Sequence, residues 1–390
     1  MIVNIINSQC KNRSYDGIVL DETDFHPCYP FFIDHPQIKP ETIDRIYIRG
    51  ILEQHPYVRC VMRYCDYMLK NGGFIEIDFY NIHFDYPGYA VRGHNEWAYE
   101  LSLVFGDRIC LVDKKNEIDG KFIYKKIGNC LPMNDTIERW SFGIVSDGRK
   151  NERILQLIHQ ISLFQIPEFE ILICGPSPSD TLPVYVKVID DNLCYTDKRI
   201  PISKKKNLII ERAQYNNLII MHDRMSFPAN WYKKMCLYGN YYDLLCTPIV
   251  NEEKHTNRMI DWTIYTYTSF IQNKIERFIP HRTSLFYNEW SKNIYINGGF
   301  FQVKRHFVLE EPLNPNLYWG EKEDTDFSIR LYNSGVLFEM FTGNTIYSQG
   351  IRFQGGEIKK MSLVMKLRYF WGAYRRYKKE LLNYKKYLAQ

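Results

Sequence analysis

Short apolar runs alternate with longer amphipathic stretches over the first 135 residues of the chain. The segment Tyr57–Leu69 has apolar side chains at helical spacing, and strand-length apolar runs lie on both sides of it. Alternation of strands with helices is typical of an α/β layer structure, so residues 1–135 are predicted to form an α/β domain. The predicted strands are Val3–Ile6, Gly17–Leu20, Arg45–Ile48, Phe74–Phe79, Arg108–Val112 and Phe122–Ile127.

A second α/β pattern begins near Trp140, after a predicted linker at residues 131–135. Ser141–Ser146 is strand-like, a polar turn with a glycine follows it, and Asn151–Leu163 has the spacing of a helix. The pattern predicts a second unit rich in strand–helix–strand repeats over residues 139–345. Its further predicted strands are Glu170–Cys174, Val184–Ile189, Leu218–Met221 and Asp243–Val250, and its further helices begin at Ser203 and Pro228.

The composition is that of a folded protein. The 390 residues are 45% hydrophobic and 24% charged, and no apolar run approaches the roughly 20 residues that a membrane span requires. The first residues do not combine a basic region with a long apolar one, so no signal peptide is predicted. Ten cysteines without a C-x-x-C pair argue against a zinc site and against a disulfide framework. We therefore expect reduced thiols in a cytoplasmic protein.

Basic residues are concentrated at the C-terminal end. Residues 359–390 contain ten Lys and Arg and one acid, a net charge of +9, whereas the remaining chain has 40 basic and 44 acidic residues, a net charge of −4. Apolar and aromatic side chains recur there at helical spacing, so residues 346–390 are predicted to form a basic amphipathic helical tail. Such a tail suits an anionic membrane surface, with packing on the body as the alternative. The acidic body does not favour nucleic acid as a partner.

The first 135 residues contain one weak motif. The helix Tyr57–Leu69 is followed by Lys70-Asn71-Gly72-Gly73 and then by a strand, and this order resembles the later half of a class I methyltransferase. Such enzymes place glycines after the first strand, where the backbone approaches S-adenosylmethionine. Here the first strand runs into residues 6–10, which contain no glycine. The resemblance therefore implies a degenerate, structural methyltransferase-like domain.

Two segments after residue 140 suggest a site for a diphosphate. Asp223 follows the predicted strand Leu218–Met221, at the end where α/β sheets bind ligands, and a carboxylate there can hold Mg²⁺ or Mn²⁺ against a diphosphate. The run Lys204–Lys206 opens a predicted helix whose dipole opposes cations, a conflict that a bound phosphate would resolve. A turn-capping aspartate and a solvated lysine run are the alternatives.

A third segment combines acids with an aromatic ring. Four acids lie within residues 321–326, and crowding together with burial raises carboxyl pKa values, as suits a general base. Trp319 offers a flat apolar face for a sugar ring, and the Gly298–Gly299 pair supplies a backbone that a ligand can approach closely. A solvated acidic helix start is the alternative.

In their order and spacing, these segments resemble a GT-A glycosyltransferase of the family 2 type over residues 139–345. The resemblance implies a Rossmann-like domain that binds a nucleotide-sugar. Cys174–Gly175 stands where the family has an acid that faces the base of the donor. The donor-binding residues that the resemblance implies are Ser146, Asp147, Gly148, Lys206, Asn207 and Asp223.

The same resemblance implies a metal and an acceptor site. Asp223 occupies the family's Asp-x-Asp position and is the implied ligand of Mn²⁺ or Mg²⁺, with His222 beside it. Asp324 matches the catalytic base of inverting members. The implied acceptor-binding residues are Gly298, Gly299, Trp319 and Glu323.

The function that this resemblance implies is inverting transfer of a sugar from a nucleotide-sugar donor. The acceptor would be a saccharide or a lipid-linked glycan, in the assembly of a surface polysaccharide or other glycan. Two alternatives stay open at this point. One is a nucleotidyltransferase, which also needs a metal and a diphosphate site, and the other is a catalytically inactive glycan-binding or scaffold protein.

Overall fold

The computed structural model describes residues 1–6, 14–49, 57–78, 90–115, 121–189, 200–253, 258–264, 283–349 and Trp371. These residues form two large sheets, of six and seven strands, and two small three-stranded sheets, with helices between the strands. The predicted α/β class is confirmed. The last strand of the first large sheet ends at residue 126, and the first strand of the second begins at residue 139. The domain boundary expected near residue 135 stays a prediction.

The first large sheet is parallel at its centre and has an antiparallel strand near one edge. Its elements are β1 (Ile2–Ile6), β2 (Ile18–Asp21), α1 (Phe31–Asp34), β3 (Ile43–Arg49), α2 (Val58–Met68), β4 (Leu69–Asp78), α3 (Ala90–Phe105), β5 (Ile109–Lys115) and β6 (Lys121–Lys126). The strand order is β2-β1-β3-β4-β6-β5; β2 to β4 run parallel, and β6 runs antiparallel to both of its neighbours. The predicted helix and the six predicted strands of this region are confirmed, with shifts at their ends.

The Lys-Asn-Gly-Gly motif lies inside a strand. Ile43 pairs with Leu69 and Arg45 with Phe74, so four residues of β4 stand between paired positions that are separated by one residue in β3. Gly72 has a φ of +83°, a left-handed conformation that favours glycine and lets the strand bulge. The motif is therefore a bulge of β4 rather than the turn before it, and the methyltransferase-like character of this region stays a prediction.

The second large sheet is built from the rest of the described chain. Its elements and those of the small sheets are β7 (Arg139–Val145), α4 (Asn151–Ser162), β8 (Glu168–Cys174), β9 (Val186–Ile189), α5 (Ile202–Arg212), β10 (Asn217–His222), β11 (Met225–Ser226), α6 (Trp231–Tyr238), β12 (Leu244–Cys246), β13 (Ile249–Asn251), β14 (Thr263–Ile264), β15 (Thr283–Ser284), β16 (Ile294–Tyr295), β17 (Phe300–Lys304), α7 (Arg305–Glu310), α8 (Glu323–Asn333), β18 (Phe338–Met340) and β19 (Ile346–Ser348). The order of the large sheet is β18-β12-β17-β10-β7-β8-β9, in which β17 is antiparallel to both of its neighbours. The small sheets have the orders β11-β19-β13 and β15-β14-β16.

Two predictions for this region are corrected. The strand expected at Asp243–Val250 is two strands, because Pro248 has no N–H to donate and interrupts the pairing; β12 belongs to the large sheet and β13 to a small one. Residues 346–348, expected to start the helical tail, form β19, which pairs with β11 and β13. Apart from residues 346–349 and Trp371, the predicted tail lies outside the described residues.

Strands β7 and β10 are covered on both faces. Phe142 and Ile219 belong to a core that includes α4, whereas Leu218 and Ile220 belong to a second core that includes α5. Successive side chains of a strand point to opposite faces, so a strand between two helical layers is apolar at nearly every position. This packing holds the carboxyl ends of β7 and β10 in a rigid frame. In the described part of the chain, no helix is long and apolar enough to cross a bilayer.

Helix α2 joins the two large sheets through buried charges. All 11 of its residues are buried, including Arg59 and Arg63. Arg63 Nε lies 2.7 Å from Asp243 Oδ2, next to β12 of the second sheet, and Arg59 Nε lies 2.7 Å from Glu100 Oε2 of α3. Removing one partner of a buried pair typically costs about 3–5 kcal/mol, because it leaves the other charge buried without compensation. These pairs therefore tie α2 to its place.

Glu339 of β18 faces α2 from the second sheet. The hydroxyls of Tyr64 and Tyr238 donate to its Oε1 at 2.9 and 3.3 Å. The pKa of Glu339 is raised from 4.5 to about 8, mainly because burial disfavours the charged form and also because Asp243 is close; the two tyrosine hydrogen bonds oppose the shift. The carboxyl group is therefore largely protonated at neutral pH.

The raised pKa of Glu339 predicts how stability depends on pH. Between 4.5 and about 8 the folded chain keeps a proton that the unfolded chain releases, so the free energy of unfolding falls as pH rises through this window. Glu339→Gln should reduce that slope by up to about 1.4 kcal/mol per pH unit. Urea unfolding at several pH values measures the slope. Glu138→Gln, which replaces an exposed carboxyl group, is the control. An unchanged slope in Glu339→Gln would show that this carboxyl titrates normally.

Candidate active site

Two parallel strands and one antiparallel strand meet at one edge of the second large sheet. His222 at the end of β10 lies opposite Val145 at the end of β7, and Met221 lies opposite Phe300 at the start of β17. The His222 backbone N–H donates to the carbonyl oxygen of Gly299 at 2.9 Å. The loops after β7 and β10 and the segment before β17 are thus neighbours, at the edge where α/β sheets bind ligands.

The loop after β7 contacts Asp223 directly. The Ser146 hydroxyl donates to Asp223 Oδ2 at 2.9 Å and accepts from the Gly148 N–H at 3.0 Å. Asp147 forms an ion pair with Arg149, with Nε and Oδ2 3.1 Å apart. The structure therefore brings together four of the predicted donor residues: Ser146, Asp147, Gly148 and Asp223.

Gly175 allows the neighbouring strand end to approach this loop. Its φ is +148°, and a Cβ there would lie 2.5 Å from the Ser146 carbonyl oxygen. The Ser146 N–H donates to the Cys174 carbonyl oxygen at 3.1 Å, which holds the two strand ends together. The departure from the family's acid at Cys174–Gly175 thus coincides with a tight backbone contact.

Asp223 is half-buried, and its pKa is raised. The largest cause is burial, which disfavours the carboxylate, and the nearby negative charge of Asp147 adds to it. The hydrogen bond from Ser146 and the positive charges of Lys150 and Arg224 act in the opposite direction. A cation or a bound metal ion beside Asp223 would favour its charged form.

A second group of charges gathers over Gly298. The Lys206 Nζ lies 3.4 Å from Glu323 Oε1, and both side chains are buried. Asp324, at the start of α8, accepts from the Gly298 N–H at 3.4 Å and from the Thr325 N–H at 2.9 Å. A Cβ on Gly298 would lie 3.1 Å from Lys206 Nζ, 3.1 Å from Asp324 Cβ and 3.2 Å from Glu323 Oε1.

Gly299 joins this group to the Asp223 loop. A Cβ at Gly299 would lie 3.0 Å from an Nη of Arg224, the residue after Asp223. Gly298 therefore faces the carboxylates of α8, and Gly299 faces the loop after β10. A single glycine–glycine unit therefore contacts both halves of the site through the chain's own side chains. Its predicted role in acceptor binding stays a prediction.

Asp326 is engaged away from this group. Its Oδ2 lies 3.1 Å from Arg330 Nε, and Arg330 Nη1 lies 2.8 Å from Glu311 Oε2. The four acids of residues 321–326 therefore do not act as one cluster. Glu323 and Asp324 face Gly298, whereas Asp326 belongs to an ion-pair chain along the helix.

Asn207 and Trp319 each make a contact within the chain. The Asn207 amide donates to the Leu313 carbonyl oxygen at 2.8 Å and accepts from the Leu313 N–H at 2.9 Å, so it clamps a loop. Trp319 is 53% exposed, and its backbone N–H donates to the Ile200 carbonyl oxygen at 3.0 Å. Its ring is therefore accessible to a ligand from solvent.

Lys205 belongs to the run Lys204–Lys206, but the resemblance did not single it out as a site residue. It is buried, and its Nζ donates to the Ser146 carbonyl oxygen at 3.1 Å. Ile202 and Ile209 are buried on the same helix, and positions three and four residues after Ile202 share their face. That spacing was the available signal that the lysine run is not simply a solvated one.

The residues present fit a metal that is held largely by its substrate. Among the described residues, no three His, Cys, Asp or Glu side chains are grouped closely enough to hold an ion. Mg²⁺, however, is commonly bound by one or two carboxylates together with substrate phosphates. Asp223, oriented by Ser146, provides one such carboxylate.

No protein-family model and no curated protein matches the chain. Among solved structures, it is similar to residues 1–349 of S. aureus TarS, with 12% identity and a TM-score of 0.37 over 54% of this chain and 60% of that one. It is also similar to GalNAc-T7 crystallised with UDP, GalNAc and Mn²⁺, with 15% identity and a TM-score of 0.38 over 63% of this chain and 48% of that one. A third is the mannosyltransferase PcManGT from Pyrobaculum calidifontis in complex with GDP-Man and Mn²⁺, with 9% identity and a TM-score of 0.38 over 63% of this chain and 65% of that one. The chain spans less than two thirds of the length of each.

The contact at Gly175 predicts a position that does not tolerate a side chain. Gly175→Ala should lower the free energy of unfolding by the cost of a left-handed conformation, about 1–2 kcal/mol, plus about 1–3 kcal/mol for the overlap with Ser146. Gly72→Ala is the matched control, since Gly72 is also left-handed but a Cβ added there would have no atom within 4 Å. Urea unfolding measures both. Equal losses in the two variants would mean that the Ser146 contact is not tight.

Proposed function

We propose that this chain is an inverting glycosyltransferase of the GT-A type. It moves a sugar from a nucleotide-sugar donor to a hydroxyl group of a saccharide or a lipid-linked glycan. The reaction belongs to the assembly of a surface polysaccharide or other glycan. The observation that carries the proposal is the Gly298–Gly299 unit. It contacts the Asp223 loop on one side and the carboxylates of α8 on the other. Transfer needs these two kinds of group at one place: one for the departing diphosphate and one for the incoming hydroxyl.

The donor side consists of the loops after β7 and β10. Bound Mn²⁺ or Mg²⁺, held by Asp223 with the donor phosphates and with His222 beside it, would neutralise the charge of the leaving diphosphate. Ser146 orients the Asp223 carboxylate through its hydroxyl. The loop of Asp147 and Gly148 turns around the same hydroxyl and forms the wall against the donor.

The acceptor side consists of Asp324 and its neighbours. Asp324 takes the proton from the acceptor hydroxyl as the oxygen attacks the anomeric carbon, and displacement from the face opposite the diphosphate inverts that carbon. The Gly298 N–H holds the Asp324 carboxylate in place. Glu323 positions the acceptor, and the exposed ring of Trp319 offers a surface on which a sugar can stack.

The two buried lysines serve different sides of the site. The Lys205 ammonium group donates to the Ser146 carbonyl oxygen, and the Ser146 hydroxyl donates to Asp223. We therefore assign Lys205 to the stabilisation of the donor diphosphate. Lys206 forms an ion pair with Glu323 beside Gly298, and we assign it to the acceptor side of the site. This assignment replaces the one implied by the resemblance, in which Lys206 and Asn207 bind the diphosphate.

The role of Asp324 predicts a loss of rate without a loss of donor binding. Asp324→Asn keeps the shape of the side chain but cannot accept a proton, so turnover should fall by about 10²–10⁴. The assay is hydrolysis of a panel of nucleotide-sugars with Mn²⁺ or Mg²⁺, in which water replaces the acceptor. Donor binding, measured by thermal shift, should be unchanged.

Asp326→Asn is the matched control on the same helix. Asp326 is bound to Arg330 and does not face Gly298, so this variant should keep near-normal turnover. Inactivity of Asp326→Asn with an active Asp324→Asn would refute the assigned base. If the unmodified chain hydrolyses no member of the panel, the catalytically inactive glycan-binding alternative is favoured instead.

If the two lysines serve different sides of the site, their substitutions should affect donor binding and turnover separately. Lys205→Met should weaken nucleotide-sugar binding by about 10- to 100-fold, the usual effect of losing a hydrogen bond to a charged group, with turnover at saturating donor little changed. Lys206→Met should reduce turnover and leave donor binding unchanged. Because Lys206→Met leaves Glu323 buried without its partner, the double variant Lys206→Met/Glu323→Gln removes the pair together and guards against unfolding. Weaker donor binding in both Lys206 variants would return Lys206 to the diphosphate.

A further inference from the structure

A groove lies beside the donor loops on the side of helix α4. It has a volume of about 440 Å³, within the range of small-ligand sites. Helix α4 begins directly after the loop of Ser146, and β11 begins two residues after Asp223. The groove, which we call the α4 groove, is lined by Arg153, Gln156 and Gln160 of α4, by Ser226, by Glu252 and by Tyr347.

The wall of the α4 groove is tied to the Asp223 loop. Ser226 of β11 pairs with Tyr347 of β19, and the Gln349 N–H donates to the Arg224 carbonyl oxygen at 3.0 Å. A ligand in this groove would therefore lie against the same backbone that positions Asp223. The pairing of β11 with β19 fixes this wall of the groove directly beside the Asp223 loop.

The polar side chains of the α4 groove are held in fixed positions. Arg153 Nη2 lies 2.7 Å from both oxygens of Glu252, and the Ser226 hydroxyl donates to Glu252 at 3.3 Å. Gln160 donates to the Phe227 carbonyl oxygen at 2.6 Å and accepts from the Phe227 N–H at 3.0 Å. Groups that are already ordered lose little conformational entropy when a ligand binds, so such a wall is suited to recognition.

The charges and the apolar surface of the groove select a class of ligand. The charge of Arg153 is compensated by Glu252, and no other charged side chain lines the groove in the described part of the chain, so a phosphate or another anion is not favoured. The uncharged lining combines the polar side chains of Gln156, Gln160 and Ser226 with apolar or aromatic ones from Leu157, Phe227 and Tyr347. Fixed hydrogen-bonding groups beside an aromatic ring match a neutral sugar, which has hydroxyls at its edge and an apolar face.

We propose that the α4 groove binds neutral sugar units of the acceptor glycan, beyond the unit that receives the transferred sugar. This inference rests on the proposed function, since it assigns the groove to the same acceptor.

A second cavity, of about 380 Å³, is lined by Arg139 and Asn216, which lie at the opposite ends of β7 and β10. It cannot share a short ligand with Asp223, because the length of the strands lies between them.

The test is binding to an array of neutral oligosaccharides. The unmodified chain should bind at least one member of the array. Gln156→Ala and Tyr347→Ala should each weaken that binding by about 3- to 10-fold, as expected for loss of one polar or one aromatic contact. Glu152→Ala, on the same helix but outside the groove, is the control and should bind as the unmodified chain does. Thermal unfolding of each variant confirms that it is folded.

The outcomes separate this inference from the proposed function. Binding that is equal in Gln156→Ala, Tyr347→Ala and the unmodified chain overturns the groove, as does the absence of any binding to neutral oligosaccharides. Binding of extended peptides in place of sugars, sensitive to the same two variants, also overturns it. If sugar binding depends on the groove but no nucleotide-sugar is hydrolysed, the saccharide site stands and the proposed transfer fails.

Discussion

The antiparallel strand β17, placed beside β10, is the constraint on which the candidate site depends. In a purely parallel sheet, the neighbour of β10 would bring its carboxyl end to this edge. Because β17 runs the other way, it brings its amino end, and with it the Gly298–Gly299 unit, to the carboxyl ends of β7 and β10. The absence of side chains at these two positions then allows α8 and the Asp223 loop to approach the same backbone.

Buried charge connects this edge to the rest of the molecule. Helix α2 reaches Asp243 and Glu339 of the second sheet, and Lys304, at the far end of β17, is buried against Asp135 with Nζ and Oδ2 3.1 Å apart. Burial lowers the pKa of Lys304 to about 8, even though Asp135 opposes the shift. Burying any of these charged groups without its partner would lower the free energy of unfolding. Strand β17 is therefore held at its carboxyl end by buried ion pairs, and its amino end follows the two glycines of the site.

Within the site, opposite charges are distributed so that each carboxylate has a distinct environment. Asp223 is half-buried, contacts a hydroxyl and has a raised pKa, whereas Glu323 faces a buried lysine. Two carboxylates in different environments can perform different tasks, and the proposed function assigns one to the donor and one to the acceptor. The wall of the α4 groove differs from the site in that its charges, Arg153 and Glu252, are paired with each other.

The sequence by itself identified many of the helices and strands and the positions of the charged groups along the chain. The periodicity of Tyr57–Leu69 and the apolar runs of β7, β8 and β10 identified those elements, because spacing of 2 or 3.6 residues is a local property.

The tertiary structure alone decided which groups meet. Lys205 and Lys206 are adjacent in sequence, but a rotation of about 100° around α5 sends one to Ser146 and the other to Glu323. Likewise, Asp324 and Asp326 differ by two residues, and their opposite placement on α8 puts only the first against Gly298. Contacts of this kind depend on helix rotation and on strand pairing between distant segments, and neither is encoded in the local pattern.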